Sequence, residues 1–227
     1  MGRVEWSAPV RCANFARLED DLRAFEEADC SELYFDVRDG AFAPGFGLGL
    51  EVLAAARACS KLPCGIHLMV MRPERYVEAF ADAGCASLTL HVEACRHAPR
   101  TLDLIRELGM APGIALQPAT PLTKLEYLFA HVDRILLLAR EPGGAGRETP
   151  GPAFFERVKI LRESLDYHER GVKLQVEGVA SVDDAAQAIE LGADIVVLDS
   201  PGVYTGVDLA ANLTAFMEDV DKARKVA

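Results

Sequence analysis

Short apolar runs alternate with helical patterns from one end of the chain to the other. Seven runs read as strands: LYFDV (33–37), CGIHLMV (64–70), ASLTLHV (86–92), PGIALQP (112–118), RILLLA (134–139), VKLQV (172–176) and ADIVVL (193–198). A weaker eighth, VEWSAPV, covers 4–10. Between them, LEDDLRAFEEA, PERYVEAFADAG, TLDLIRELG and SVDDAAQAIELG carry apolar residues at three- and four-residue spacing, the period of a helix. Their ends are punctuated. Pro73 suits a first helical turn, Ser181 an N-cap, and Gly84, Gly109 and Gly192 the C-terminal caps.

Strands that are apolar almost throughout, each followed by a helix, predict a parallel sheet covered on both faces. Eight strand–helix units share 227 residues, about 28 per unit. Polar residues recur at the strand ends: Asp36, His67, His91, Gln117, Glu177 and Asp199. The pattern predicts one α/β domain over 1–227, a single (β/α)8 TIM barrel, with those ends gathered on the face where such barrels build their sites. A doubly wound open sheet shares the alternation. It usually opens with G-x-G-x-x-G, which is absent after the first strand, and the GFGLG run at 45–49 stands in the wrong register.

Half the residues are hydrophobic and 26% are charged, enough for a sizeable core. Lys and Arg number 24 against 35 Asp and Glu, a net charge of −11, with no dense basic cluster. A nucleic-acid partner is therefore not expected. No apolar run approaches the roughly 20 residues that span a bilayer. The start of the chain lacks the apolar core of a signal peptide, and the six cysteines form no C-x-x-C pair. The expectation is a cytoplasmic protein with reduced thiols and no membrane association. Apolar helix faces suggest a homo-oligomer.

Asp36 ends the second strand in YFDVRDG, where a carboxylate at a barrel mouth is placed for proton transfer. Asp39, before Gly40, fits a turn instead. A lone histidine at a strand end is usually a hydrogen-bonded core residue. Two of them, His67 and His91, beside Asp36 and Glu177 make a plausible zinc, manganese or iron(II) site. The second and seventh strands face each other across a barrel mouth, so Asp36 and Glu177 are placed to flank a substrate. One would take a proton beside a carbonyl and the other return one on the opposite face, with a metal stabilising the enediolate. The loop REPGGAGRETPGP (140–152) is a candidate lid or phosphate-binding loop. Its Gly143, Gly144 and Gly146, with Ser200 after the eighth strand, could supply amides and a hydroxyl to a phosphate. Met69, Met71, Phe42 and Phe46 read as apolar pocket walls.

At these residues the sequence resembles the ribulose-phosphate 3-epimerase family. LYFDVRDGAFAPGFGLG is similar to the motif LHxDVMDGxFVPNxxxG, and LPCGIHLMVMRPERYVEAFADAGCASLTLHVEA to HLMVxxPxxYxxxFxxAGAxxxxxHxEA. GIALQPATPLTKLE resembles GxAxNPxTPxxxLE, REPGGAGR resembles VNPGFGGQ, and VEGV stands in the place of VDGG. The likeness runs from about Ala8 to Tyr204. It implies a ribulose-phosphate-binding barrel and metal-assisted epimerisation of a ketopentose phosphate at carbon 3. Asp36, His67 and Glu177 would be metal ligands, with Asp36 and Glu177 also the acid and base. His91, Met69, Gly143, Gly144, Gly146, Arg147, Gly178 and Ser200 would lie near a sugar or sugar-phosphate substrate.

The departures are specific. Tyr34 replaces the family's first ligand histidine and offers a weaker phenol, and Glu177 is one methylene longer than the family's Asp. Pro9, Arg38 and Leu138 replace a Ser and two Met of the pocket. Val179 replaces the second Gly of VDGG, and Asp199 puts a carboxylate beside the expected phosphate seat. Arg140 and Arg147 would compensate or would serve a different substrate. Related barrels that decarboxylate or perform aldol chemistry resemble this one but use a D-x-K dyad, which no strand end here carries. The alternative is an altered barrel that has become a sugar-phosphate-binding or regulatory protein.

Overall fold

The computed structural model describes residues 3–144, 150–168, 171–206 and 208–225. Eight parallel strands close on one another: β1 (Glu5–Pro9), β2 (Glu32–Arg38), β3 (Cys64–Met69), β4 (Ser87–His91), β5 (Ala111–Leu116), β6 (Arg134–Leu138), β7 (Lys173–Glu177) and β8 (Ile195–Val197). β8 returns to β1 with Ser7 opposite Val197. Every strand lies within one or two residues of its apolar run, because a strand buried on both faces is apolar on both.

The helices are α1 (Leu18–Glu27), α2 (Leu50–Cys59), α3 (Val77–Asp82), α4 (Ala98–Glu107), α5 (Pro152–Tyr167), α6 (Val182–Glu190) and α7 (Leu209–Arg224). The expected caps form. The Ser181 hydroxyl accepts from the amide of Asp184 at 3.0 Å, and Gly84, Gly109 and Gly192 take positive φ at the helix ends. The fifth unit departs from the expected repeat. β5 is followed by a 3-10 turn, Leu122–Leu125, and no α-helix is found there among the described residues. Pro118 and Pro121 remove amide donors from this segment and restrict the residues before them. Leu125, Leu128 and Phe129 still cover the barrel.

The period of two along each strand sorts side chains into two cores. Leu33, Phe35, Ile66 and Leu68 face the helices within the large outer core. Tyr34, Ala115, Leu136, Leu138 and Val197 form a second cluster inside the barrel. Glu32, Tyr34 and Asp36 alternate along β2 with the helix-facing residues and thus stand one above another inside the barrel. Among the described residues no disulfide forms, and four of the six cysteines are buried. No helix among them is long and apolar enough to cross a membrane.

Candidate active site at the barrel mouth

Register brings the site together. Asp36 on β2 pairs with His67 on β3, and Leu138 on β6 pairs with Glu177 on β7. The loop after β2 folds back on its own strand: Gly47 and Leu48 donate to the carbonyls of Arg38 and Asp36 at 3.1 and 2.9 Å. A Cβ on Gly47 would come within 2.4 Å of both the Arg38 nitrogen and the Asp36 oxygen, so this return requires glycine. Asp39 is a turn residue, as expected, with its carboxylate accepting from the amides of Ala41, Phe42 and Met71.

The Tyr34 hydroxyl donates to Glu177 Oε2 at 2.9 Å and lies 2.8 Å from His67 Nδ1. That same nitrogen is 3.4 Å from Asp36 Oδ1 and 3.3 Å from Glu177 Oε2. Burial disfavours a charge on His67, but the carboxylates of Asp36 and Glu177 beside it outweigh that penalty and raise its pKa. Burial also works against the Glu177 carboxylate. The hydrogen bond and charge of His67, followed by Arg11, hold it well below the ordinary range. Burial and the two carboxylates push the Tyr34 phenol upward, so it remains a neutral donor.

The other face of His67 leads away from the cavity. Its Nε2 lies 2.9 Å from His91 Nε2, and His91 Nδ1 lies 3.2 Å from Glu93 Oε2. Burial lowers His91 to about 4, so its ring is neutral. A proton on Nδ1, facing Glu93, leaves Nε2 as acceptor for His67. Glu93 is anchored in turn by the hydroxyl of Thr120 and, at 2.9 Å, the amide of Gln117. Such a chain fixes the orientation of His67.

Arg11, just beyond β1, is the residue that sequence reasoning missed. Its Nε donates to Asp36 Oδ2, and its Nη2 lies 3.7 Å from both Glu177 Oε1 and Asp199 Oδ2. Burial opposes its charge, but Asp36 and the other carboxylates raise its pKa further. The signal was a cation two residues past a strand end, obscured because the β1 run is the weakest of the eight. Arg11 thus holds the outer oxygens of two carboxylates whose inner oxygens face His67.

His67 Nδ1 and one oxygen each from Asp36 and Glu177 lie within 4.8 Å of one another. Asp36 Oδ1 is buried and has no hydrogen-bond partner among the described residues. One imidazole nitrogen and two carboxylate oxygens, one of them unpartnered, suit a divalent cation with positions left open. A cation there takes the lone pair of Nδ1, which requires neutral His67.

A cavity of about 650 Å³ opens above this cluster. Met69, Gly143, Gly144 and Gly178 line it, as do Arg11, Asp36 and Glu177. Ser200 is half-buried, with Asp199 and Pro201 lining the cavity on either side. His91 is fully buried, stacked on His67 and tilted against Phe42, at centroid distances of 5.0 and 4.6 Å. Gly146 and Arg147 lie outside the described residues. Two expected pocket walls are corrected: Phe46 is 85% exposed and Met71 48% exposed. Phe46 follows the turn that Asp39 bridges, and its ring covers Gly40 instead of the cavity.

A closed (β/α)8 barrel with buried carboxylates and an imidazole converging at its carboxyl end has the form of a barrel enzyme. The chain belongs to the ribulose-phosphate 3-epimerase family, a family of carbohydrate epimerases, whose sequence profile matches residues 7–203. It is 38% identical to the ribulose-phosphate 3-epimerase of Synechocystis over 84% of each chain. It is 33% identical to that of Bacillus subtilis, over 87% of this chain and 91% of the relative. Solved structures extend the fold more widely. KGPDC from Streptococcus mutans superposes with a TM-score of 0.71 at 12% identity, covering 98% of this chain and 99% of that one. A mutant tryptophan synthase alpha-subunit from Pyrococcus furiosus reaches 0.67 at 14% identity, covering 96% and 97%.

Proposed function

We propose that the chain epimerises or isomerises a ketose or ketose phosphate through an enediolate, with Asp36 and Glu177 as acid and base. One observation carries this reading: carboxylates from β2 and β7 flank the same His67 nitrogen on the floor of one cavity. Epimerisation needs that pair. One carboxylate takes the proton from the carbon beside the carbonyl, and the C–H electrons pass onto the carbonyl oxygen. The opposing acid then returns a proton to the other face of that carbon. Glu177, ionised beside the Arg11 guanidinium, suits the base. Tyr34 orients the Glu177 carboxylate, and Arg11 places positive charge beside the developing enediolate. A divalent ion held by Asp36, His67 and Glu177 would supply Lewis-acid stabilisation of its oxygens.

Asp36→Asn and Glu177→Gln should each lower kcat by about 10³-fold, with the far-ultraviolet circular dichroism of the wild type retained. Solvent deuterium uptake at the reacting carbon reports whether each variant still removes the proton. Wild-type turnover in both variants overturns the proposal. A second reading, a barrel that binds sugars without turning them over, is favoured by Tyr34 in the expected ligand position and by the Arg11 cation already on Asp36. Elemental analysis separates the two. Stoichiometric zinc, manganese or iron supports catalysis, and none under metal-replete conditions supports the binding protein.

A further inference from the structure

The far end of the cavity lies beyond β7 and β8, formed by Gly178, Ala180, Ser181, Asp199 and Pro201. In (β/α)8 barrels the loops after these two strands, with a helix N-terminus, commonly form a phosphate seat. Here that seat is filled with the wrong charge. The first turn of α6 carries Asp183 and Asp184. The Asp184 carboxylate receives the Ser181 hydroxyl at 2.7 Å, lines the cavity, and already complements the positive end of the helix.

The opposite wall is Asp199, whose side chain is fully buried. Arg140 donates to its Oδ2, while its Oδ1 is buried with no hydrogen-bond partner among the described residues. Arg140 Nε passes 3.1 Å from the point where a Cβ on Gly178 would stand. Its guanidinium therefore lies across the gap from the β7 loop to Asp199, in the space an anion would take. Arg38, the remaining guanidinium of the cavity among the described residues, is on β2, and its Nη1 donates to the Pro44 carbonyl at 3.3 Å. Arg11 is committed to Asp36.

We infer that this end of the cavity receives hydroxyl groups and excludes phosphate, so that the substrate is an unphosphorylated ketose. The inference rests on the epimerase reading above and narrows its substrate class. A carboxylate–guanidinium pair suits a polyol: the carboxylate accepts from one hydroxyl and the guanidinium donates to the next. A phosphate dianion brings only acceptors and meets Asp184 and Asp199 at close range.

The test compares kcat/KM for a free ketopentose and its terminal phosphate ester, with inorganic phosphate titrated separately. The free sugar should be preferred by about tenfold or more, and Asp199→Asn should shift that ratio toward the ester by about tenfold or more. Inorganic phosphate, followed by amide chemical shifts in the loop after β7, should show no saturation in the wild type below about 10 mM, and tighter binding in the variant. A wild-type preference for the ester, or sub-millimolar phosphate binding unchanged by Asp199→Asn, overturns the inference. Should neither sugar turn over, the epimerase reading fails and the phosphate titration still decides the subsite. If Asp199→Asn does not fold, Asp184→Asn must shift phosphate binding the same way, and failure to do so counts against the inference.

Discussion

Two polar layers cross the inside of this barrel, and β2 contributes to both. At the amino-terminal end Glu32 accepts from Ser7 at 2.5 Å and from Arg134 at 2.9 and 3.0 Å, while Gln175 donates to Ser7 at 3.3 Å. At the carboxyl end Asp36 and Glu177 meet Tyr34, His67 and Arg11. The lower layer satisfies both oxygens of its carboxylate. The upper layer leaves Asp36 Oδ1 and Asp199 Oδ1 buried without a hydrogen-bond partner among the described residues. Burial and the nearby Glu177 charge push Asp199 up to about 6, even against Arg140 and Arg11. A buried charge whose bonds are complete specifies the fold. One left incomplete is poised for a ligand.

The largest effects should separate the layers cleanly. Asp36→Asn is expected to abolish most turnover at little cost in stability. Glu32→Gln should do the reverse, because it leaves the half-buried Arg134 without the counter-charge of buried Glu32. The expected loss is about 3–5 kcal/mol in urea denaturation, with kcat per folded molecule unchanged. If Glu32→Gln lowers kcat as strongly as Asp36→Asn, the layers are not independent and the lower one also shapes the site.

Much of this was legible before any coordinates. The strands could be read because burial on both faces leaves no polar alternation to confuse them. Asp36, His67, Glu177 and Asp199 could be found because a polar residue ending an apolar run has few places to go except the mouth. Arg11 was missed because its importance lies in contacts with residues 25, 166 and 188 positions away, which no local pattern encodes. Phe46 and Met71 misled for a related reason. An apolar loop residue does not announce whether its loop turns toward the cavity or away from it. The repeat led to the expectation of a helix after β5, but the local restriction imposed by Pro118 and Pro121 prevailed over it.

The smallest expected effect concerns Glu93, which belongs to neither layer but steadies the upper one through His91. Burial opposes its charge, yet His91, Thr120 and the Gln117 amide draw its pKa down to about 2. A carboxylate depressed in the folded state adds stability that is complete above its unfolded pKa. That stability is lost as pH falls through the folded value. Glu93→Gln should therefore cost about 2 kcal/mol near pH 7. In urea denaturation the gap from wild type should close as pH drops from about 4.5 toward 2. A gap that stays constant over that range would assign the contribution of Glu93 to packing and neutral hydrogen bonds. Closure of the gap, with weaker binding of zinc alone to Glu93→Gln at pH 7, would show that its charge reaches His67 through His91.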